Sequence, residues 1–79
     1  MIFSGEEVIR ALQKRKFVPV RQSGSHVILK YRSPVNPEDV RVVTVPLHDE
    51  LNTSTLRSIA EQAGAKDFQK FKKWIDRNR

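Results

Sequence analysis

The sequence lacks cysteine, and this absence excludes several kinds of stabilisation and chemistry. None of the 79 residues is a cysteine, so the chain can form no disulfide bond, no cysteine-ligated zinc site and no thiol nucleophile. A chain of this length allows one domain, predicted to span residues 1–79, and it must pack efficiently because no cross-link supports it. The missing thiols also agree with a reducing compartment, and we expect the protein to be cytoplasmic.

Long hydrophobic runs are missing as well. The longest apolar runs contain three residues, as in "VIL" at 27–29, whereas a membrane-spanning helix needs about twenty. We therefore expect neither a signal peptide nor a membrane-spanning segment.

Acidic residues are outnumbered by basic ones. The chain has 15 Lys and Arg against 9 Asp and Glu, which gives a net charge of +6. Such a charge favours a polyanionic partner: first nucleic acid, then an acidic protein, then an anionic membrane surface. Seven of the basic residues lie in residues 1–32 and six in residues 66–79. A fold that joins the two ends would combine these charges into one basic face.

Periodicity and turn residues predict six elements in the order α-β-β-β-α-α. "SGEEVIRALQKRK" has the S-x-x-E spacing of a capping box and an apolar stripe, which predicts a helix over residues 5–16. "FVPVRQ", the turn "SGS" and "HVILKYR" predict a β-hairpin over residues 17–32, and Pro19 is typical of an edge strand. "VRVVTVP" predicts a third strand. "STLRSIAEQAG" and "DFQKFKKWIDRNR" predict two helices, with Asn52 or Thr53 and then Asp67 as their caps.

These elements predict an α+β fold, a two-layer sandwich in which a three-stranded antiparallel sheet carries helices on one face. Alternation in the second strand turns one set of side chains towards the core: Val27, Leu29 and Tyr31. The opposite set faces away from the core: His26, Ile28, Lys30 and Arg32. That second face is either exposed to solvent or a binding surface.

The two histidines limit the catalytic chemistry that is open to the chain. A metal site would need carboxylates beside His26 or His48, and no spacing indicates one, so we expect no metal and no cofactor. His26 follows a glycine-containing turn, with Lys30 on its own face. This place suits a phosphodiester, because the imidazole can move a proton while a cation stabilises negative charge, and RNA supplies its own nucleophile in the 2′-OH. From the residues alone, an exposed turn histidine without a role is the simpler interpretation.

Two other features have simple structural explanations. His48 lies in an acidic connection beside Asp49 and Glu50, where an ordinary loop histidine is the simpler interpretation. The aromatic residues of the last helix, among them Phe68 and Trp74, have a spacing that suits stacking on bases, but core packing explains the same spacing.

Three segments in fixed order are similar to one known family. "RQSGSHVILKYR", "VVTVPLH" and "LNTSTLRSIAEQAG" resemble the HicA toxins of prokaryotic toxin–antitoxin systems. These toxins are small basic proteins with a G-S-H turn, a V-x-V-P-x-H strand end and a T-L-R-S-I helix. The resemblance covers about residues 4–64. Residues 66–79 lie beyond it, and we expect them to form a helix that completes the core and has a solvated basic outer face.

The resemblance implies a fold, an activity and a partner. The fold would be like that of a double-stranded-RNA-binding domain. The activity would be that of an mRNA interferase, a metal-independent endoribonuclease that arrests translation, and a HicB-like antitoxin would bind and mask the toxin. The family's catalytic histidine lies in its G-S-H turn, so the resemblance makes His26 the candidate catalytic residue.

Candidate RNA contacts surround that turn. In double-stranded-RNA-binding domains the loop between the first two strands enters the minor groove, and Gly24 and Ser25 occupy that loop here. The candidate phosphate contacts, in decreasing order, are Lys30 and Arg32, then Arg21 and Lys14, with Arg57 as a weak candidate on the second helix. That helix opens without the lysine cluster that grips phosphates in these domains, so the sequence argues less for duplex recognition.

Three hypotheses remain open at this point. The first is a metal-independent endoribonuclease that uses His26, with mRNA and a HicB-like antitoxin as partners and with water, Lys30 or Tyr31 as the second proton carrier. The second is a non-catalytic RNA-binding module, for which a basic face suffices. The third is an interaction protein whose basic surface serves an acidic protein partner.

Overall fold

The computed structural model describes residues 2–79, which form three helices and three strands. In chain order they are α1 (Gly5–Lys14), β1 (Val18–Ser23), β2 (His26–Arg32), β3 (Val40–Pro46), α2 (Thr53–Ala63) and α3 (Phe68–Asn78). The strands pair antiparallel in the order β1-β2-β3. The predicted α-β-β-β-α-α order and α+β class are confirmed, and the arrangement is consistent with a fold like that of a double-stranded-RNA-binding domain.

The helices begin at side chains that accept hydrogen bonds from otherwise unpaired backbone N–H groups. Ser4 Oγ accepts from the N–H of Glu7 at 3.1 Å, and a Glu7 carboxylate oxygen accepts from the N–H of Ser4 at 2.9 Å. This is the predicted capping box. Asn52 at the start of α2 and Asp67 at the start of α3 also accept a hydrogen bond from a backbone N–H, so both are helix caps, as the sequence predicts.

The helix α1 ends earlier than the sequence predicts. The helix stops at Lys14 because Lys16 has a φ angle of 72°, which takes the chain out of the helical conformation. The N–H of Lys16 then donates to the carbonyl of Gln13, and the N–H of Phe17 donates to that of Leu12. This is a Schellman motif, in which glycine usually occupies the left-handed position. The motif directs the side chain of Phe17 towards the core.

A two-residue loop fixes the register of the hairpin. Ser23 pairs with His26, so Gly24 and Ser25 alone connect β1 to β2. Gly24 has a φ angle of 59°, and glycine at the first position of a two-residue loop is the pattern of a type II′ turn. β1 is an edge strand, as Pro19 predicts, and its pairing slips by one residue between Pro19 and Arg21.

The core lies between the sheet and the helices. The inward-facing strand residues Val27, Leu29, Val43 and Val45 are buried, which confirms the predicted alternation. Phe71 and Ile75 of α3 are buried in the same cluster, so the C-terminal helix completes the core as expected. In the part of the chain that the structure describes, no helix has the length and apolarity that crossing a bilayer requires.

Candidate nucleic-acid interface

The sheet face turned away from the helices, here called the open face, is ordered into rows by the pairing of the strands. Residues that pair across strands share one face of a sheet. The rows on the open face are Ser23–His26–Pro46, Arg21–Ile28–Thr44, Val18–Lys30–Val42 and Arg32–Val40. His26, Lys30 and Arg32 are exposed there, as the alternation of β2 predicts.

His26 lies at the edge of the open face on a backbone that is held from two sides. The carbonyl of Ser25 accepts a hydrogen bond from the N–H of Leu47 at 2.6 Å, which ties the turn to the end of β3. The N–H of Gly5 donates to the carbonyl of His48 at 2.9 Å, so the start of α1 supports the same segment. The imidazole of His26 is therefore presented to solvent from a fixed position.

The register brings Arg21 closer to His26 than the other basic residues of the open face. Arg21 is the diagonal neighbour of His26 across the hairpin, which corresponds to a Cα separation of about 7–8 Å. Lys30 lies four residues along the same strand, or about 13 Å away at 3.3 Å per residue. Arg32 is further still, at about 20 Å on the same measure, and its guanidinium donates to the carbonyl of Pro37 at 2.7 Å. Arg21, which the sequence ranks below Lys30 and Arg32 as a candidate contact, is thus the cation of the open face that lies closest to His26.

The candidate proton carriers differ in their position relative to His26. Tyr31 faces the helices, where its ring stacks on Phe17 at a centroid distance of 5.3 Å. Lys30 is on the same face as His26, with its Cα about 13 Å away along β2. Tyr31 therefore lies on the wrong face of the sheet for this role, and Lys30 and water stay candidates.

Arg57 and Lys14 lie away from the open face. The guanidinium carbon of Arg57 lies 4.4 Å from the centre of the Phe68 ring, at the junction of α2 and α3 in the helix layer. Lys14 is exposed at the end of α1, in that same layer. The structure does not bring either residue together with His26, and their contact with RNA stays a prediction.

Exposed valines are the part of the open face that sequence reasoning missed. Val18 is 57% exposed and Val42 is 50% exposed, and they flank Lys30 in one row. Val40 pairs with Arg32 in the next row and is also exposed. The alternation of β3 carried this signal, because buried Val43 and Val45 imply that Val42 faces outward. The open face therefore combines apolar contact area with cations.

The residues described do not gather a metal-binding group. Within residues 2–79, no three His, Asp or Glu side chains come together in a way that would hold an ion. The chemistry of the open face rests on an imidazole, guanidinium and ammonium groups, and the backbone of the Gly24–Ser25 turn.

Together, the fold and the open face define a small basic α+β protein with a histidine presented beside a tight turn of its sheet. A family model described as the HicA toxin of bacterial toxin–antitoxin systems matches residues 5–65. The chain belongs to the HicA toxin family, which confirms the resemblance and gives it the role of a toxin in such a system. The matched segment runs from α1 through α2, and α3 lies outside it. Comparison with curated proteins gives no match.

Proposed function

We propose that this toxin is an endoribonuclease that cleaves mRNA on its open face, with His26 as the catalytic residue. The observation that carries the proposal is the placement of His26. Its side chain is exposed beside a glycine turn that a backbone hydrogen bond ties to the end of β3, and Arg21 is its diagonal neighbour. A positioned imidazole beside a cation is what proton transfer at a phosphodiester needs.

The proposed reaction uses the nucleophile that RNA provides. The 2′-oxygen attacks phosphorus and loses its proton, the bond from phosphorus to the 5′-oxygen breaks, and the 5′-oxygen gains a proton. The products are a 2′,3′-cyclic phosphate and a 5′-hydroxyl. His26 transfers one of the two protons and water transfers the other. Arg21 neutralises the charge that develops on the phosphoryl oxygens, so the step needs no metal ion.

Other groups on the open face hold the RNA in place. The tip of the hairpin is accessible, because no atom of residues 2–79 outside the turn lies within 4 Å of the position that a Cβ atom would take on Gly24. Gly24 and Ser25 can therefore meet the sugar–phosphate backbone beside the scissile bond. Lys30 and Arg32 bind phosphates further along the strand, and Val18 and Val42 offer apolar surface to the bases.

The same surface suits a silencing partner. We propose that a HicB-like antitoxin covers the open face, since exposed valines among cations are the composition that a protein interface buries. The proposed unit of function is one domain over residues 1–79, and it acts in the cytoplasm, where mRNA is found.

The test is cleavage of a long mRNA by the purified chain in excess chelator. The proposal predicts fragments whose 5′ ends accept phosphate directly from a polynucleotide kinase, since each carries a 5′-hydroxyl. Fragments that appear only after a divalent metal is restored would contradict the metal-independent mechanism. RNA that is bound but stays intact under both conditions would identify a non-catalytic RNA-binding module instead.

A further inference from the structure

A second concave surface lies on the helix side of the molecule, away from His26. It is a cleft of about 680 Å³ between the end of α1, the inner side of the sheet and α3. Tyr31 lines this cleft from the sheet, and it is five residues along β2 from His26, or about 16 Å, on the opposite face. The cleft therefore does not overlap the open face, and it opens on the opposite side of the sheet.

Aromatic rings form the walls of the cleft. Phe17 and Tyr31 stack at a centroid distance of 5.3 Å on the sheet side. Phe71 and Trp74 lie 6.0 Å apart on the α3 side. Tyr31 and Trp74 are only partly buried, whereas Phe17 and Phe71 are buried beneath them. The guanidinium carbon of Arg41 lies 6.0 Å from the centre of the Tyr31 ring, and that of Arg15 lies 5.6 Å from the centre of the Trp74 ring. The cleft thus has two partly exposed rings in its walls, each with an arginine beside it.

Cations surround the aromatic walls. The basic residues that line the cleft are Arg15, Arg41, Lys66, Lys70 and Arg77. Only one acid, Asp67, lines it as well, and its carboxylate is occupied because it caps α3. Arg41 is held by Asp39 and by the carbonyl of Ala63. Within residues 2–79 the other four cations form no ion pair, so their charge is available to an anion.

We propose that this cleft binds a nucleotide of single-stranded RNA, with its base on the rings of Tyr31 and Trp74 and its phosphates at the rim. Aromatic platforms beside cations bind single strands without sequence preference, because every base has a flat face that can stack. An acidic peptide would meet the cations but would leave the rings uncovered. The inference rests on the proposed function only in taking RNA as the ligand.

Part of the cleft is formed by residues that lie beyond the segment matched by the family model. Trp74, Lys70 and Arg77 belong to α3, which follows the end of the match at residue 65. The C-terminal helix therefore adds a second RNA contact to the toxin core, in addition to completing that core.

Trp74 gives a direct probe of the cleft because it is the only tryptophan in the chain. The experiment titrates a short single-stranded oligoribonucleotide into the His26→Ala variant, so that the RNA stays intact, and follows tryptophan fluorescence. We expect saturable quenching as a base stacks on the indole. Lys70→Gln should weaken binding about fivefold at 0.1 M salt, because one single-strand phosphate contact contributes a salt slope of about −0.7.

Lys73→Gln is the matched control, since Lys73 is exposed on the same helix but does not line the cleft. The proposal expects this variant to bind as tightly as its parent. Equal weakening by both variants would overturn the proposal in favour of diffuse attraction. RNA that binds without quenching would also overturn it, even if the native chain cleaves mRNA. Quenching by polyglutamate but not by RNA would assign the cleft to an acidic protein. Quenching by RNA would support the proposal even if no cleavage were found.

Discussion

Arg21 illustrates how a single residue gains its position from an irregularity elsewhere in its strand. If the strands paired without a bulge from the Val18–Lys30 pair onward, Arg21 would lie opposite Val27 and face the core. The slip between Pro19 and Arg21 moves it opposite Ile28, on the open face beside His26. The bulge therefore places the cation on which the proposed chemistry depends.

This placement predicts unequal effects of two arginine substitutions. Arg21→Gln should lower the kcat/KM of RNA cleavage by about 10²-fold, the effect of losing one donor to a transition-state oxygen. Arg32→Gln should lower it by no more than about fivefold at 0.1 M salt, because it removes only a distant phosphate contact. Initial rates on one oligoribonucleotide, measured for both variants, give the comparison. Equal losses of kcat/KM would show that both residues act only through their positive charge and that Arg21 makes no specific contact with the transition state.

Two glycines with positive φ angles differ in what surrounds them. Gly24, at 59°, has open space where a Cβ atom would be, and Gly64, at 84°, has the guanidinium of Arg41 there. Gly24→Ala should cost about 1–2 kcal/mol of unfolding free energy through backbone strain alone. Gly64→Ala should cost about 1 kcal/mol more, because Arg41 must move and lose its hydrogen bond to Ala63.

Urea denaturation of both variants measures this difference. The background Arg41→Ala is the control, since it empties the space beside Gly64. In that background the two glycine substitutions should cost the same. A persistent excess at Gly64 would mean that something other than Arg41 opposes the added methyl group.

At the scale of the elements, local chemistry explains why some boundaries were predictable and others were not. The starts of the helices could be predicted because Ser4, Asn52 and Asp67 act through residues only three positions away. The end of α1 could not, because Lys16 takes a left-handed conformation that its side chain does not favour. That conformation is stabilised by the burial of Phe17, which is a tertiary effect.

The capping box of α1 predicts a pH dependence of stability. The hydrogen bond from the backbone N–H of Ser4 lowers the pKa of Glu7 below its ordinary value of 4.5, and Arg79 adds to the effect. A lowered pKa in the folded state means that the charged carboxylate stabilises the fold. This contribution is present above pH 4.5, and it is lost as the pH falls through the lowered pKa.

Glu7→Gln should therefore reduce the unfolding free energy at pH 7 but have a smaller effect at pH 2. Glu6→Gln is the matched control, because Glu6 lies in the same first turn and takes no part in the capping box. Chemical denaturation at both pH values measures the difference between each variant and the parent. A loss at Glu7 that does not change with pH would attribute the effect to geometry instead of charge.

The contribution of α3 to the core can be measured in the same way. Ile75 is fully buried, so Ile75→Ala should cost about 2–5 kcal/mol of unfolding free energy. Lys73→Ala, two residues earlier on the exposed side, should change it by no more than about 0.5 kcal/mol. Similar small effects at both positions would mean that α3 is dispensable for folding of the toxin core.

In the whole molecule, the two ends of the chain meet, but only part of their positive charge is brought together. The guanidinium of Arg79 donates to the carbonyl of Ile2 at 2.7 Å and pairs with Glu7 and Asp76. The expectation that joined ends would combine their charges holds for Arg15, which lines the cleft with Lys66, Lys70 and Arg77, but not for the cations of the open face. Lys30 faces outward from the sheet, whereas Lys70 lines the cleft on the helix side. The reason is that α3 packs against the helix layer, so its cations point away from the open face.

Features that depend on residues close together in the sequence could be predicted, whereas features that depend on distant residues could not. The element order and the sheet face that carries His26 depend on alternation and caps, which are local, and both were predicted. The order of cations around His26 depends on a bulge. The cleft depends on four segments that meet only in the folded chain: the end of α1, the sheet, the loop before α3, and α3 itself. No pattern within one segment could have indicated it.

Cleavage of mRNA by a folded His26→Ala variant decides whether His26 is the catalytic residue of this toxin. General acid–base catalysis contributes about 10²–10⁴-fold, so this variant should cut at least about 10²-fold more slowly than the native chain. His48→Ala, which removes the other histidine, should cut at the native rate, and circular dichroism should show both variants folded. A folded His26→Ala variant that cuts as fast as the native chain would exclude His26 as the catalytic residue.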